Sequence, residues 1–172
     1  PARAGSAADA RDIAPYGVEV SVKEGGKAAE LAVEDLDTAL AEHGGQVLAL
    51  IGAGDRTRVP HGSTLLRRGD RVLLEAEAEA LGPGLDALGL ALAEKATEGG
   101  GLVVAEAVVT AGSRLAGRSA AALRLRDVHG VNLVAVSRRG TTRRPRRARP
   151  RAGPGDVLLL QGRGAALASF PA

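Results

Sequence analysis

The stretch Val18-Glu-Val-Ser-Val-Lys-Glu-Gly25 returns 87 residues later as Ala105-Glu-Ala-Val-Val-Thr-Ala-Gly112. His43-Gly-Gly-Gln-Val-Leu-Ala-Leu50 returns as His129-Gly-Val-Asn-Leu-Val-Ala-Val136, at an offset of 86. At that same offset, Gly69-Asp-Arg-Val-Leu-Leu-Glu75 returns as Gly155-Asp-Val-Leu-Leu-Leu-Gln161. The register holds over roughly 60 residues with one single-residue gap, so two copies of one module are present.

Local pattern gives the module its order of elements. An alternating strand, Val18/Val20/Val22 or Ala105/Ala107/Val109, ends at Gly25 or Gly112. Apolar residues at helical spacing follow, Leu31/Leu36/Leu40 in the first copy and Leu115/Leu123 in the second, and predict a helix in each. His43-Gly44 and His129-Gly130 read as helix stops. Val47–Ile51 or Val131–Val136 then predicts a buried strand, followed by a Gly-containing hairpin region. A Gly-Asp turn launches the last strand, Val72–Glu75 or Val157–Gln161, and a short Ala/Leu helix closes the unit. Strand, helix, three strands, helix is an α+β pattern with a small, mainly antiparallel sheet. Expected boundaries are a linker over 1–14, a first domain over 15–97 and a second over 98–172. Units this small sit near the lower limit for a self-sufficient core, so pairing of copies, within or between chains, is expected.

Composition narrows the class. Apolar residues make up 45% of the 172, enough for packed cores, and there is no Cys, hence no disulfide framework and no thiolate metal site. The longest run without a charged residue, 43–54, is twelve residues, short of the roughly 20 that a membrane helix needs. The chain begins at Pro1 and reads as a piece of something longer. Its net charge of +3 is unevenly spread: residues 1–98 carry −7 and residues 99–172 carry +10. Eight arginines crowd the stretch 138–151, so the basic character belongs to one segment.

Catalytic and metal motifs are not supported. Gly52-Ala-Gly54-Asp-Arg-Thr57 imitates the start of a dinucleotide fingerprint, but Arg58-Val59-Pro60 breaks the helix that would hold a pyrophosphate, and a hairpin turn accounts for it. Gly26-Lys27 is followed by Ala28 rather than the Ser or Thr of a phosphate loop. His43 and His129 are repeat equivalents at helix ends, and His61 stands alone beside Pro60, whereas a zinc site needs three or four clustered ligands. Ser113 and Ser119 lie in no nucleophile elbow. Glu75, Glu77 and Glu79 read as a solvated edge. No cofactor, metal or enzymatic activity is expected.

Within 138–151, Pro145 and Pro150 forbid a continuous helix or central strand, which leaves a solvated hairpin connection. A surface facing anionic lipid is the next reading. Nucleic acid is disfavoured, because no aromatic residue is interleaved for base stacking.

Gly112-Ser-Arg-Leu-Ala-Gly-Arg-Ser-Ala-Ala-Ala-Leu123, His129-Gly-Val-Asn-Leu-Val-Ala-Val-Ser-Arg-Arg139 and Pro154-Gly-Asp-Val-Leu-Leu-Leu160 together resemble the TrkA-C domain, also called the RCK C-terminal domain. The resemblance extends over 16–97 and 98–171, and two such domains in tandem are similar to the soluble insert of citrate and divalent-anion symporter-type bacterial permeases. The first copy departs from the pattern, with Glu30 where the second has Gly117 and Ala32 where it has Ser119. The resemblance implies a non-catalytic, cytosolic regulatory module of an ion or organic-anion transporter at the inner face of the membrane. It also implies a homodimer and a small anionic ligand such as cyclic di-AMP. Site residues expected on that basis are Arg114 and Arg118, flanking a Gly-rich helix entry whose free N–H groups favour an anion, with Asn132 and Arg138 alongside. A structural dimerisation module without ligand is the alternative.

Overall fold

The computed structural model describes residues 17–76, 78–93, 101–143 and 151–171. The chain divides between Gly101 and Leu102 into two compact units.

In the first unit, β1 (Gly17–Val22) is followed by α1 (Val33–Ala41), β2 (Gln46–Ile51), a single 3-10 turn at Ala53–Asp55 and β3 (Thr57–Arg58). Then come β4 (Arg71–Glu75), α2 (Ala78–Leu88) and β5 (Leu90–Leu92). These strands form one antiparallel sheet in the order β3-β2-β4-β1-β5. In the second unit, β6 (Leu102–Val108), α3 (Leu125–His129), β7 (Val131–Arg138), β8 (Thr141–Arg143), β9 (Val157–Arg163) and α4 (Gly164–Ala168) give the antiparallel order β6-β9-β7-β8.

The repeat seen in sequence is therefore a repeat of hydrogen-bond register. Val20 faces Val72 on β1 and β4, and their equivalents Ala107 and Leu158 face each other on β6 and β9. The bulge between Val47 and Ala49 on β2 recurs between Leu133 and Ala135 on β7. Even the single bridge Ala32 to Leu65 has its counterpart in Ser119 to Arg151. A one-residue slip would turn every apolar side chain to the wrong face, so conserved register follows from a conserved buried face.

Each unit has its own core. Val20, Val22, Val33, Leu36, Val47, Leu66, Val72 and Leu74 are buried in the first, and Val109, Leu115, Val131, Leu158, Leu160 and Phe170 in the second. At one place the two cores exchange volumes: Ala28 and Leu66 correspond to Leu115 and Ala152. A small-plus-large pair has become large-plus-small, which keeps the packed volume nearly constant.

Several expectations are corrected. The second copy has no long helix after its first strand. Residues 113–124 form turns and only Leu125–His129 is α-helical. The Ser113 and Ser119 hydroxyls accept the backbone N–H groups of Leu115 and Ala122, and Arg124 takes a left-handed φ of 47°. Local side-chain acceptors thus outcompete a helix despite the Ala-rich sequence. In the first copy Leu31 precedes the helix, which starts at Val33. Glu75 is buried, its carboxylate accepting the Gln46 Nε2 at 2.8 Å, and is no solvated edge. Glu77 and residues 144–150 of the arginine run lie outside the described residues. β5 was not foreseen; it runs antiparallel to β1, with Gly26 and Gly89 backbone to backbone beside it. A Cβ on Gly26 would lie 2.6 Å from the Gly89 carbonyl oxygen, so only glycine fits.

Candidate anion-binding site

Asp156 opens β9 from within the second Gly-Asp turn, and its side chain is 2% exposed. Burial alone would push its carboxyl up, but the Arg138 guanidinium at the end of β7 binds it in a two-pronged pair, Nε to Oδ1 at 2.8 Å and Nη2 to Oδ2 at 2.7 Å. The Gly153 N–H adds a third bond to Oδ2 at 2.7 Å. The arginine, first, and this N–H hold the carboxyl below its ordinary value despite the burial, and Arg138 is raised in turn.

Arg138 also reaches the carbonyl of Arg151, Nη2 to O at 3.0 Å. Arg151 lies beside Ser119, and its own Nη1 donates to the Gly117 carbonyl at 3.2 Å. Backbone bonds from Gly117 N–H to Ala152 O and from Ala152 N–H to Arg118 O fasten the same crossing. Arg118, Arg138 and Arg151 are thus brought to one crossing of segments 117–119 and 151–153, all three exposed, with Asp156 beneath. The Arg138 and Arg151 guanidinium groups and the exposed Arg118, which joins the crossing through its backbone, outnumber the one buried carboxylate, a balance suited to a small anion.

The residues expected from sequence fare differently. Arg118 and Arg138 meet at this crossing through Arg151, as described. Arg114 is exposed on the turn that opens the same segment, three residues before Gly117. Asn132 is at the far end of β7, six residues and about 20 Å from Arg138 at strand rise. It is buried, accepting Arg126 Nε at 2.8 Å and donating to Gln161 Oε1 at 3.3 Å. Its repeat equivalent is Gln46, which pairs with Glu75 across β2 and β4 in the same way. That correspondence makes Asn132 a cross-strand pin. The free N–H groups expected at a helix entry are in use: those of Leu115, Ala116, Gly117 and Arg118 already donate to Ser113 Oγ, Ser113 O, Ala152 O and Leu115 O.

Arg151 and Asp156 were not singled out by sequence reasoning. The signal lay in the repeat: Arg118, Arg138 and Arg151 replace Leu31, Gly52 and Leu65 of the first copy, so the cationic group is an addition to the shared framework. Two of the three histidines pack, and His61 is exposed. The His129 ring meets Phe170 edge-on at 5.3 Å, and His43 lies against Gly84. Among the described residues no cluster of three or more potential metal ligands occurs, and no helix is long and apolar enough to cross a membrane.

Residues 104–170 match the family model of the TrkA-C domain. Among solved structures, the chain is similar to the RCK_C domain dimer of S. agalactiae BusR in complex with c-di-AMP, at 22% identity and TM-score 0.34 over 37% of this chain and 83% of that one. It is also similar to the GsuK channel, at 27% identity and TM-score 0.36 over 44% of this chain and 13% of that one. The GsuK RCK domain matches at 18% identity and TM-score 0.37 over 80% of this chain and 20% of that one. No curated protein matches the sequence. The match to the TrkA-C family model thus falls within the second unit, over residues 104–170.

Proposed function

We propose that the chain is a non-catalytic regulatory module in which the second unit senses a small anionic ligand and the first is a degenerate TrkA-C-like partner. The observation that carries this reading is the TrkA-C match over 104–170, in the unit that adds Arg118, Arg138 and Arg151 to the shared framework. The ligand class is a small phosphate-bearing anion, cyclic di-AMP being the first to try, held by Arg114, Arg118 and Arg151 with the outer edge of Arg138. Asn132 positions the strand. The module serves an ion or organic-anion transporter from the cytosolic side of the membrane, and it works in pairs. A ligand can bias such a pair only by binding one of its arrangements better than another.

Calorimetric titration of the chain with cyclic di-AMP and inorganic phosphate tests the ligand. The expected result is a heat of binding that Arg118→Ala and Arg151→Ala weaken about tenfold each while the melting temperature stays put. No heat and no thermal shift at millimolar ligand would sink the ligand reading. A structural reading has one observation in its favour, the commitment of Arg138 to Asp156. It requires that Arg138→Ala change stability alone, with no ligand effect in any variant.

A further inference from the structure

The charges of the second unit are sorted across its sheet. In the order β6-β9-β7-β8, the exposed Glu106 lies on one outer strand and the exposed Arg143 on the other. Their rows are adjacent, since Glu106 pairs with Leu159, Leu159 with Ala135, and Val136 with Arg143. Three strand spacings, roughly 14 Å, therefore separate them, more than the screening length of about 8 Å at physiological salt. The other described acids of this unit are already matched: Asp127 pairs with Arg124 at 3.2 Å, and Asp156 is buried beneath Arg138.

Arginines gather at the β8 end. Arg143 sits opposite Val136, so it shares a sheet face with Arg138, two residues further along β7. That is the face of the crossing to which Arg118 and Arg151 belong. Arg139 and Gly140 make the two-residue turn between β7 and β8, both left-handed, with φ of 51° and 77°. Such a turn favours Asn, Asp or Gly at its first position, and Arg139 stands there at a conformational cost. Arg118, Arg138, Arg139, Arg143 and Arg151 are all exposed, and among the described residues none pairs with an exposed acid.

What this face lacks selects its partner. The exposed large apolar residues among those described are Leu65, Leu92, Val103, Val108 and Val128, none of them on the hairpin or the crossing. The chain's two aromatics are Tyr16 and Phe170. A protein partner is held by aromatic or apolar anchors, and a nucleic-acid strand by stacking on aromatic rings. An anionic lipid leaflet asks only for several cations at headgroup height, each contributing about fivefold to partitioning. An anion small enough to sit at the crossing leaves Arg139 and Arg143 unmet.

We propose that the β7–β8 hairpin of the second unit, with Arg138, Arg139 and Arg143 beside Arg118 and Arg151, docks on an anionic lipid surface. The proposal stands apart from the small-ligand reading, which uses neither Arg139 nor Arg143.

The test is co-sedimentation of the 172-residue chain with vesicles of phosphatidylcholine, with and without phosphatidylglycerol, at low and high salt. Binding is expected only with phosphatidylglycerol, and high salt should release it. Arg139→Gln and Arg143→Gln should each weaken partitioning about fivefold, with circular dichroism confirming the fold. The same loss is expected in a chain that also carries Arg144→Gln, Arg146→Gln, Arg147→Gln and Arg149→Gln, where the rest of the run cannot compensate. Arg163→Gln, at the opposite end of β9 from the hairpin, should leave partitioning unchanged. The proposal is overturned by equal binding to both vesicles, by binding to neither, or by a loss in Arg163→Gln that matches Arg139→Gln. Tighter binding to a DNA duplex than to the anionic vesicles also overturns it. Calorimetry with cyclic di-AMP separates the two readings: vesicle binding without a heat defeats the small ligand alone, and a heat without vesicle binding defeats the lipid surface alone.

Discussion

The two units solve one architectural problem with different side chains. Both bury a carboxylate beside the sheet and hold it with an arginine, yet the pairs sit at unrelated positions. In the first unit Glu19 on β1 is held by Arg71 on β4, Nε to Oε1 at 2.6 Å, and the same guanidinium reaches Asp55 at 2.6 Å. In the second the pair is Asp156 and Arg138, while Glu106 and Val157 occupy the old positions. Register and the bulge stayed fixed, as did the cross-strand pair Gln46–Glu75 or Asn132–Gln161, while the buried ion pair moved. The apolar period and the turns therefore dictate this fold, and the buried ion pairs are local accommodations to it.

The largest effect expected from pressing on this comparison is in the core. Leu66→Ala removes a fully buried side chain and should cost about 2–5 kcal/mol in denaturant unfolding, since the first unit has Ala28 rather than a Leu to fill the space. Adding Ala28→Leu converts the pair to the Leu115/Ala152 arrangement and should recover most of the loss. Failure of the double variant to recover would mean that the two cores are not interchangeable, and that similarity of register hides a difference in backbone spacing.

A smaller effect, read most clearly in the acid limb, should test the second unit's ion pair. Asp156 has its folded pKa lowered, chiefly by the hydrogen bond from Arg138. The stability it contributes is fully present above the unfolded carboxyl value of about 3.9 and is lost as pH falls through the folded value. Asp156→Asn should flatten that acid limb while lowering stability at neutral pH. Arg138→Ala removes the main lowering cause and leaves the burial, so the limb should begin at higher pH. Unfolding midpoints between pH 2 and 6 check both, and an unchanged limb in Arg138→Ala would show that the pair does not set it.

Much of this was legible from 172 letters because the chain states its plan twice. The repeated strand-and-turn module follows from Val18–Gly25 recurring at an offset of 87 and Val47–Ile51 and Val72–Glu75 at 86, since chance does not readily repeat a pattern in register. β5 was not legible: Leu90-Ala-Leu92 is three residues after a helix, has no second copy, and betrays itself only through the contact of Gly26 with Gly89. The Leu115/Leu123 spacing predicts a helix where turns form, because the capping of nearby N–H groups by Ser113 and Ser119 depends on geometry that periodicity does not report. Asp156 and Arg151 escaped for a related reason. A polar residue's burial is decided by what arrives from elsewhere in the chain, here Arg138 from β7.

The smallest effect should come from Glu30, where sequence and backbone disagree. Its φ is 76°, matching the 78° of Gly117 at the equivalent place, and both donate their N–H across the same crossing, to Leu66 O and Ala152 O. A left-handed conformation costs a non-glycine residue roughly 1–2 kcal/mol, and glycine's extra freedom in the unfolded chain takes back about 0.5–1. Glu30→Gly should therefore stabilise the first unit by up to about 1 kcal/mol, seen as a higher unfolding midpoint. The reverse change, Gly117→Glu, should destabilise the second unit by a similar amount. A crossing that tolerated both changes without a shift would mean that its hydrogen bonds do not require the left-handed turn, and that the two units share it by descent rather than by need.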